Sequence, residues 1–162
     1  TYHSVNSRST RSRRIGPHYL YFARGSLYLV AEDMEDKNVK VFSVPRISAA
    51  RLLATAYSGE VLEPDKFFGS SFGVFKAGPA VEIRLRFNEV IGPYIKERRW
   101  HKSQVIESQP DETVEVTLYT AISPELIQWV LGFGPDVRVL QPPELVAILQ
   151  ERADQLLELY KS

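Results

Sequence analysis

The chain has 162 residues, with 20 basic and 20 acidic side chains, a formal net charge of zero and 44% hydrophobic residues. That supports one domain of ordinary size or two small ones. The absence of cysteine excludes disulfides, a thiol nucleophile and thiolate metal sites. No apolar run approaches the ~20 residues of a spanning helix, and no signal-peptide pattern opens the chain, so a cytoplasmic protein without membrane contact is expected. A first residue of Thr points to a fragment or a processed product.

The neutral average hides an asymmetry. Residues 1–51 hold nine basic side chains (Arg8, Arg11, Arg13, Arg14, Arg24, Lys37, Lys40, Arg46 and Arg51) against four acids, and the remainder holds eleven against sixteen, giving +5 and −5. A basic part beside an acidic part suggests an anionic ligand for the first. The plainer alternative is two surfaces that merely differ.

Taken in order, residues 1–13 are rich in Ser and Arg and by themselves read as a flexible basic arm. Three runs rich in Val, Tyr, Phe and Leu follow at 18–23, 27–33 and 39–44, separated by Arg24-Gly25-Ser26 and by a charged tip at 34–38. Such runs with short breaks predict an antiparallel meander, and a meander of this size tends to close into a small barrel that leaves no unpaired edge. In ISAARLLATAY, residues 47–57, periodicity does not choose between helix and strand, although Ala and Leu favour helix. Residues 65–75, DKFFGSSFGVF, predict a short aromatic helical turn that breaks at its glycines. Gly69 to Gly73 is no phosphate loop, because no Gly-Lys-Ser/Thr follows it.

Gly78-Pro79 marks a second boundary. Beyond it Val81, Ile83, Leu85 and Phe87 alternate with Glu82, Arg84 and Arg86, the pattern of a half-buried strand. Asn88 caps a helix reaching about Arg98, interrupted or delayed by Gly92-Pro93. Residues 104–107 and 113–120 pair as a hairpin across Pro110-Asp111. Ser123-Pro124-Glu125 is an N-cap with Pro at the first helical position, and its helix runs to Gly134. A fourth strand at 137–140 precedes a final helix from Pro142 to about Tyr160, with Leu145, Ile148, Leu149, Leu156 and Leu159 on its apolar stripe. Strand, helix, strand, strand, helix, strand is the ferredoxin-like order.

Catalytic groups do not converge in this sequence. His3, His18 and His101 are scattered and none has metal-ligand spacing, and Ser70-Ser71 lacks the Gly-x-Ser-x-Gly frame of a nucleophile elbow. The expectation is a non-enzymatic protein with no metal and no cofactor. Arg98, Arg99, Trp100, His101 and Lys102 form a basic and aromatic cluster with two readings. It is a nucleic-acid patch with a stacking ring, or a helix C-terminus whose cations complement the dipole while Trp100 packs inward. Phe67, Phe68, Phe72, Phe75 and Tyr94 are more aromatics than small cores easily absorb, which points to docking between chains or within one.

The motifs also resemble a known family. Arg14-Ile15-x-Pro17, Gly25-x-x-Tyr28-Leu29 and Phe42-x-x-x-Arg46-Ile47 resemble the WYL domain of bacterial transcriptional regulators, with Leu27-Tyr28-Leu29 in place of Trp-Tyr-Leu. Arg99-Trp100-His101-x-Ser103-Gln104, Trp129-Val130-Leu131-Gly132-Phe133-Gly134 and Val139-Leu140-x-Pro142-x-Glu144-Leu145 resemble the WCX extension that follows such domains. The resemblance implies an α+β chain. Its parts are an Sm/SH3-like barrel over 1–58, a linker with a short helix over 59–78, and a ferredoxin-like βαββαβ domain with a C-terminal helix over 79–162. Within the barrel, Tyr2-x-Ser4 becomes an entry strand with a hairpin tip at 6–10, and 47–57 the closing strand.

An effector site is implied as well, carried here by Ser4, Arg14, Tyr28 or Tyr21, Lys40 in place of Arg, and Arg46. The expected function is ligand sensing and dimerisation in a transcriptional regulator. Its effector is single-stranded nucleic acid or a nucleotide, its partner a second copy of the chain, and duplex DNA is reached only through a helix-turn-helix domain missing from this sequence. The alternatives are a dimerisation module without a ligand and an Sm-like RNA-binding module.

Overall fold

The computed structural model describes residues 1–5, 7–23, 25–63, 67–69, 71–74 and 78–161. The chain is α+β and divides into two compact units, residues 1–69 and 70–162.

In the first unit β1 (Tyr2–Ser4) pairs with β2 (Ser9–Arg11) as a two-stranded ribbon. β3 (Ile15–Ala23), β4 (Ser26–Asp33) and β5 (Val39–Ser43) form an antiparallel meander in that order. Gly25 makes the β3–β4 turn possible, since its φ of +74° suits glycine and few other residues. Register slips between Pro17 and Tyr19, where proline offers no N–H to the ladder. Side chains alternate across the sheet. Tyr19, Tyr21, Tyr28, Val30 and Glu32 share one face by register, and Leu20, Phe22, Ala31, Asp33, Lys40 and Phe42 the other. Val30, Ala31 and Phe42 are buried, and the Tyr2 ring stands edge-on to Phe42 at 5.1 Å.

The expected closed barrel is not formed: among the described residues the ribbon and the meander are separate, open sheets. The closing strand expected at 47–57 is also absent. A 3-10 turn at Val44–Arg46 ends in a single bridge from Ile47 to Tyr2, and Ser48 N–H donates to the Thr1 carbonyl. Residues 48–63 then carry no regular structure. Their composition explains this, because Ala49, Ala50, Leu52 and Ala54 offer no alternating apolar face, and Leu52 is 98% exposed. The chain crosses the tyrosine face instead. Tyr57 lies on Gly16, while Phe67 and Phe68 are buried in a helical turn with Phe68 against Tyr21 at 4.7 Å. The rest of the aromatic turn expected at 65–75 falls partly on residues 65–66, 70 and 75, outside the described residues.

The second unit is a four-stranded antiparallel sheet in the order β7-β8-β6-β9, from β6 (Val81–Phe87), β7 (Val105–Ser108), β8 (Val114–Thr120) and β9 (Val137–Gln141). Helices α1 (Gly92–Lys96), α2 (Pro124–Leu131) and α3 (Pro143–Leu159) alternate with the strands and follow them. Ile83, Leu85 and Phe87 lie opposite Leu118, Val116 and Val114 on one face. There they bury against Ile95, Leu126, Trp129, Val130 and Leu145.

Two helices are shorter than expected. Asn88 accepts from the N–H groups of Val90 and Ile91, holding the chain in a turn that delays α1 to Gly92. Ser123 caps α2 by accepting from Leu126 N–H, and the helix ends at Leu131 with Gly132 as its C-cap. The final stripe also divides. Leu145 is fully buried and Leu149 partly so, whereas Leu156 and Leu159 are exposed.

The expected aromatic excess is largely absorbed within each unit. Phe72 packs on Trp129 at 4.9 Å, Tyr94 sits against Trp100 and Phe133, and Phe67 and Phe68 bury in the first unit. No helix among the described residues is long and apolar enough to cross a membrane.

This division of the core sets the cost of substitution. Phe87→Ala is expected to destabilise the protein by roughly 3–5 kcal/mol, and Leu157→Ala on the exposed part of α3 by no more than about 0.5 kcal/mol. Urea denaturation midpoints of the two variants check the contrast.

Candidate functional site

Asp33 organises the charged groups of the first unit. Its side chain is only 1% exposed and accepts from Arg13 Nη1 at 2.5 Å, Lys40 Nζ at 2.8 Å and the Glu35 N–H at 3.1 Å. Lys40 also pairs with Asp36. The Lys40 hydrogen bond leads in holding the Asp33 carboxyl down to about 2, with Glu35 N–H and Arg13 adding to it against the opposing effect of burial. Glu32, one residue earlier and on the opposite face, accepts from the Tyr57 hydroxyl at 2.6 Å and lies 3.7 Å from Lys37.

The six residues singled out for an effector site do not form one cluster. Tyr21 and Tyr28 are brought together, lying opposite each other in the β3–β4 ladder with Ser43 beside Tyr28. Tyr21 is half-buried and packed on Phe68. Lys40 belongs to the other face and is held by Asp33 and Asp36. Ser4 lies in the ribbon opposite Ser9, its hydroxyl 3.5 Å from the Ser7 N–H. Arg14 and Arg46 are both exposed. The Arg14 carbonyl meets Met34 N–H at one end of β4, while Arg46 follows Ser43 near Tyr28, roughly 20 Å of strand away. Among the described residues Arg46 pairs with neither Glu32 nor Asp33, both of which have other partners.

Those partners leave a surplus of cations. Glu32, Asp33 and Asp36 are engaged with Lys37, Arg13, Lys40 and Tyr57. Arg8, Arg11, Arg14, Arg46 and Arg51 remain exposed, with no side-chain hydrogen bond or ion pair among the described residues. A guanidinium offers a planar fork of donors that matches phosphate and carboxylate oxygens, so each of these side chains is chemically suited to an anion.

The cluster at 98–102 divides between core and surface. Trp100 packs against Trp129 at 5.2 Å and donates through Nε1 to the Ile95 carbonyl. Gln104 ties the loop, accepting from the N–H groups of Trp100 and His101 and donating to the Arg98 carbonyl. His101 is buried, with Nδ1 2.7 Å from the Ser103 hydroxyl. Burial, aided by Lys102 and Arg99, holds its imidazole below the usual histidine range. Arg98 stacks over Tyr94 at 4.6 Å. The ring that was to stack a base is therefore part of a protein core, and the exposed groups are Arg98, Arg99 and Lys102.

Sequence reasoning missed the contact between Tyr57 and Gly16. A Cβ on Gly16 falls 2.2 Å from two ring carbons of Tyr57, so only glycine lets that ring approach the strand this closely. His18 stands edge-on to the same ring at 5.7 Å, and its Nδ1 lies 3.4 Å from the Leu62 N–H. His18 Nε2 and the Tyr19 hydroxyl are buried without a hydrogen-bond partner among the described residues, an arrangement that costs about 1–3 kcal/mol per group. The available signal was a glycine inside an otherwise regular strand, which marks a close approach.

Together these features define an α+β protein of two units, the first rimmed with unpaired arginines. The WYL domain family matches residues 1–52 and the WCX domain family residues 79–157. The chain therefore carries a WYL domain followed by a WCX domain. Among solved structures, proteasome accessory factor B/C (PafBC) of Arthrobacter aurescens matches 91% of the chain at 19% identity, with a TM-score of 0.39. A CRISPR Cas-related protein matches 99% at 18% identity, with a TM-score of 0.50, a likeness of fold. The chain covers 23% of the first and 47% of the second, so it spans less than half of either. No curated protein matches the chain.

The Asp33 network predicts an acid-sensitive first unit. Its folded pKa of about 2 lies below the ordinary 3.8, so the stabilisation is complete above pH 4 and is lost as pH falls from about 4 to 2. The contribution is on the order of 2 kcal/mol. Asp33→Asn is expected to lower stability by that order at pH 7 and to flatten its decline between pH 4 and 2, as measured by denaturation midpoints across pH.

Proposed function

We propose that the chain is the effector-sensing and dimerising part of a bacterial cytoplasmic transcriptional regulator. Its first unit binds single-stranded nucleic acid or a nucleotide, and it performs no catalysis. The observation that carries this reading is the set of exposed, unpartnered arginines in the first unit, at Arg8, Arg11, Arg14, Arg46 and Arg51. The WYL match supports it. In this reading the ribbon and meander are an opened form of the Sm/SH3-like barrel, and the second unit is ferredoxin-like, its β7-β8-β6-β9 order and alternating helices supporting that assignment. Lys40, held by two carboxylates, has a structural role, and Arg14 and Arg46 carry the anion.

Dimerisation is assigned to the second unit. Leu156, Leu157, Leu159 and Tyr160 on and just beyond α3 are all exposed, and a second copy is the proposed cover. Effector binding then changes regulation to the extent that it favours one arrangement of the paired chains over another. Duplex recognition belongs to a helix-turn-helix domain outside this sequence.

Fluorescence anisotropy with short single-stranded DNA and RNA tests the ligand half. Arg46→Ala is expected to weaken binding roughly tenfold, about 1.4 kcal/mol, and to reduce the salt slope by about 0.7 for one lost phosphate contact. Absence of binding to every oligonucleotide at low salt removes the nucleic-acid reading. Light scattering tests the other half. A mass of roughly 37 kDa is expected, twice the 18.5 kDa chain, and Leu157→Glu is expected to shift it toward the monomer.

A further inference from the structure

We propose that the notch floored by Gly16 is a nucleobase pocket filled by the chain's own Tyr57, and that an effector base presenting amino donors to Glu32 displaces that ring. The proposal deepens the nucleotide-effector reading above and rests on it.

The notch has the parts a base site needs. Its floor is bare backbone, since at Gly16 the space of a side chain is taken by the Tyr57 ring itself, 2.2 Å from the Cβ position. A flat ring is therefore the shape that fits. His18 forms a wall, edge-on at 5.7 Å. Glu32 closes the end and now accepts the Tyr57 hydroxyl at 2.6 Å. A carboxylate is an acceptor only, so any replacement ring must bring N–H or O–H donors. Guanine brings an N–H and an amino group side by side, matched to two carboxylate oxygens. Uracil presents a single N–H flanked by carbonyls that face Glu32 unfavourably. A phosphate is disfavoured against the Glu32 carboxylate itself, although Lys37 lies 3.7 Å from its other oxygen. It finds a cation two residues along the chain at exposed Arg14, about 6–7 Å of backbone away.

Tyr57 is also placed to leave. From residue 48 to 61 it is the one side chain that is not exposed, and the segment has no helix or strand. Its release leaves every sheet ladder intact. His18, edge-on to that ring, has a buried Nε2 without a partner among the described residues, so the present cover satisfies the site incompletely, and a polar heterocycle offers atoms that a phenol does not.

Calorimetric titration of the full chain with three probes tests this: guanosine and uridine for the notch, ribose 5-phosphate for the arginines. Tyr57→Ala is expected to bind guanosine at least roughly tenfold more tightly than the parent chain, a gain of about 1.4 kcal/mol, with little change for uridine or ribose 5-phosphate. Tyr57→Phe, which keeps the ring and loses only the bond to Glu32, is expected to show a smaller gain and guards against a folding defect in the alanine variant. Gly16→Ala is expected to abolish guanosine binding, and Glu32→Gln to erase the preference for guanosine over uridine. Saturating guanosine is expected to speed tryptic cleavage after Arg51 in the parent chain. Guanosine affinity unchanged by Tyr57→Ala, or guanosine binding detected in no variant, overturns the pocket. Loss of ribose 5-phosphate and oligonucleotide binding, by contrast, overturns the sensing reading itself.

Discussion

A buried carboxylate at the end of β4 is the interaction on which the first unit depends. Asp33 is removed from water, and an isolated charge there is costly unless paired and hydrogen-bonded. Arg13, Lys40 and the Glu35 N–H meet that requirement from three directions. Each bond fastens a different piece of chain: the lead into β3, strand β5, and the charged turn between β4 and β5. With a meander whose buried hydrophobic residues are Val30, Ala31 and Phe42, this charged joint replaces much of what a larger core supplies elsewhere. It also decides which cations are left over. Arg13 and Lys40 serve Asp33, whereas Arg8, Arg11, Arg14, Arg46 and Arg51 have no such carboxylate partner among the described residues.

The second unit solves the same problem with apolar packing. Its core joins alternate residues of β6 and β8 to all three helices, and the opposite sheet face is polar. There Glu115 accepts from Arg84 at 2.9 Å and from Arg86 at both Nε and Nη2. Hydrogen bonds from Arg86 and then Arg84 hold its carboxyl below the usual range. Arg138 lies opposite Arg86 on the same face. Two like charges across a ladder are unfavourable, and Glu115, on the other side of Arg86 from Arg138, offsets the charge of Arg86.

The stretch between the two families' matches is neither a spare connector nor a strand. Its Tyr57 lies in the space that Gly16 leaves open, and Phe67 and Phe68 bury in the first unit. Of the aromatic residues that look surplus in the sequence, Phe67, Phe68, Phe72 and Tyr94 therefore pack inside the units, and Phe75 lies outside the described residues. Exposed apolar side chains are spread over both units, and those adjacent in sequence include Leu156, Leu157, Leu159 and Tyr160 at the end of α3 and Leu52 and Leu53 in the first unit.

Much of the local structure was legible before any coordinates. Alternation in 81–87 determined a half-buried strand, Ser123-Pro124 marked the start of α2, and Arg24-Gly25-Ser26 marked a hairpin, because period, capping and turn chemistry act over a few residues. Family motifs were legible for the same reason. The site was legible only in part: Arg14 and Arg46 stand exposed, but their separation along β4 does not follow from their spacing in sequence. The role of Lys40 lay seven residues from Asp33 across a turn, that of Tyr57 forty-one residues from Gly16, and that of Trp100 in rings on α2 and beyond. Only tertiary structure decided these, because burial and ion pairing depend on which distant segments meet. The open first unit was decided the same way. Residues 47–57 have no period of their own, so their path followed the one ring that found a place on the sheet.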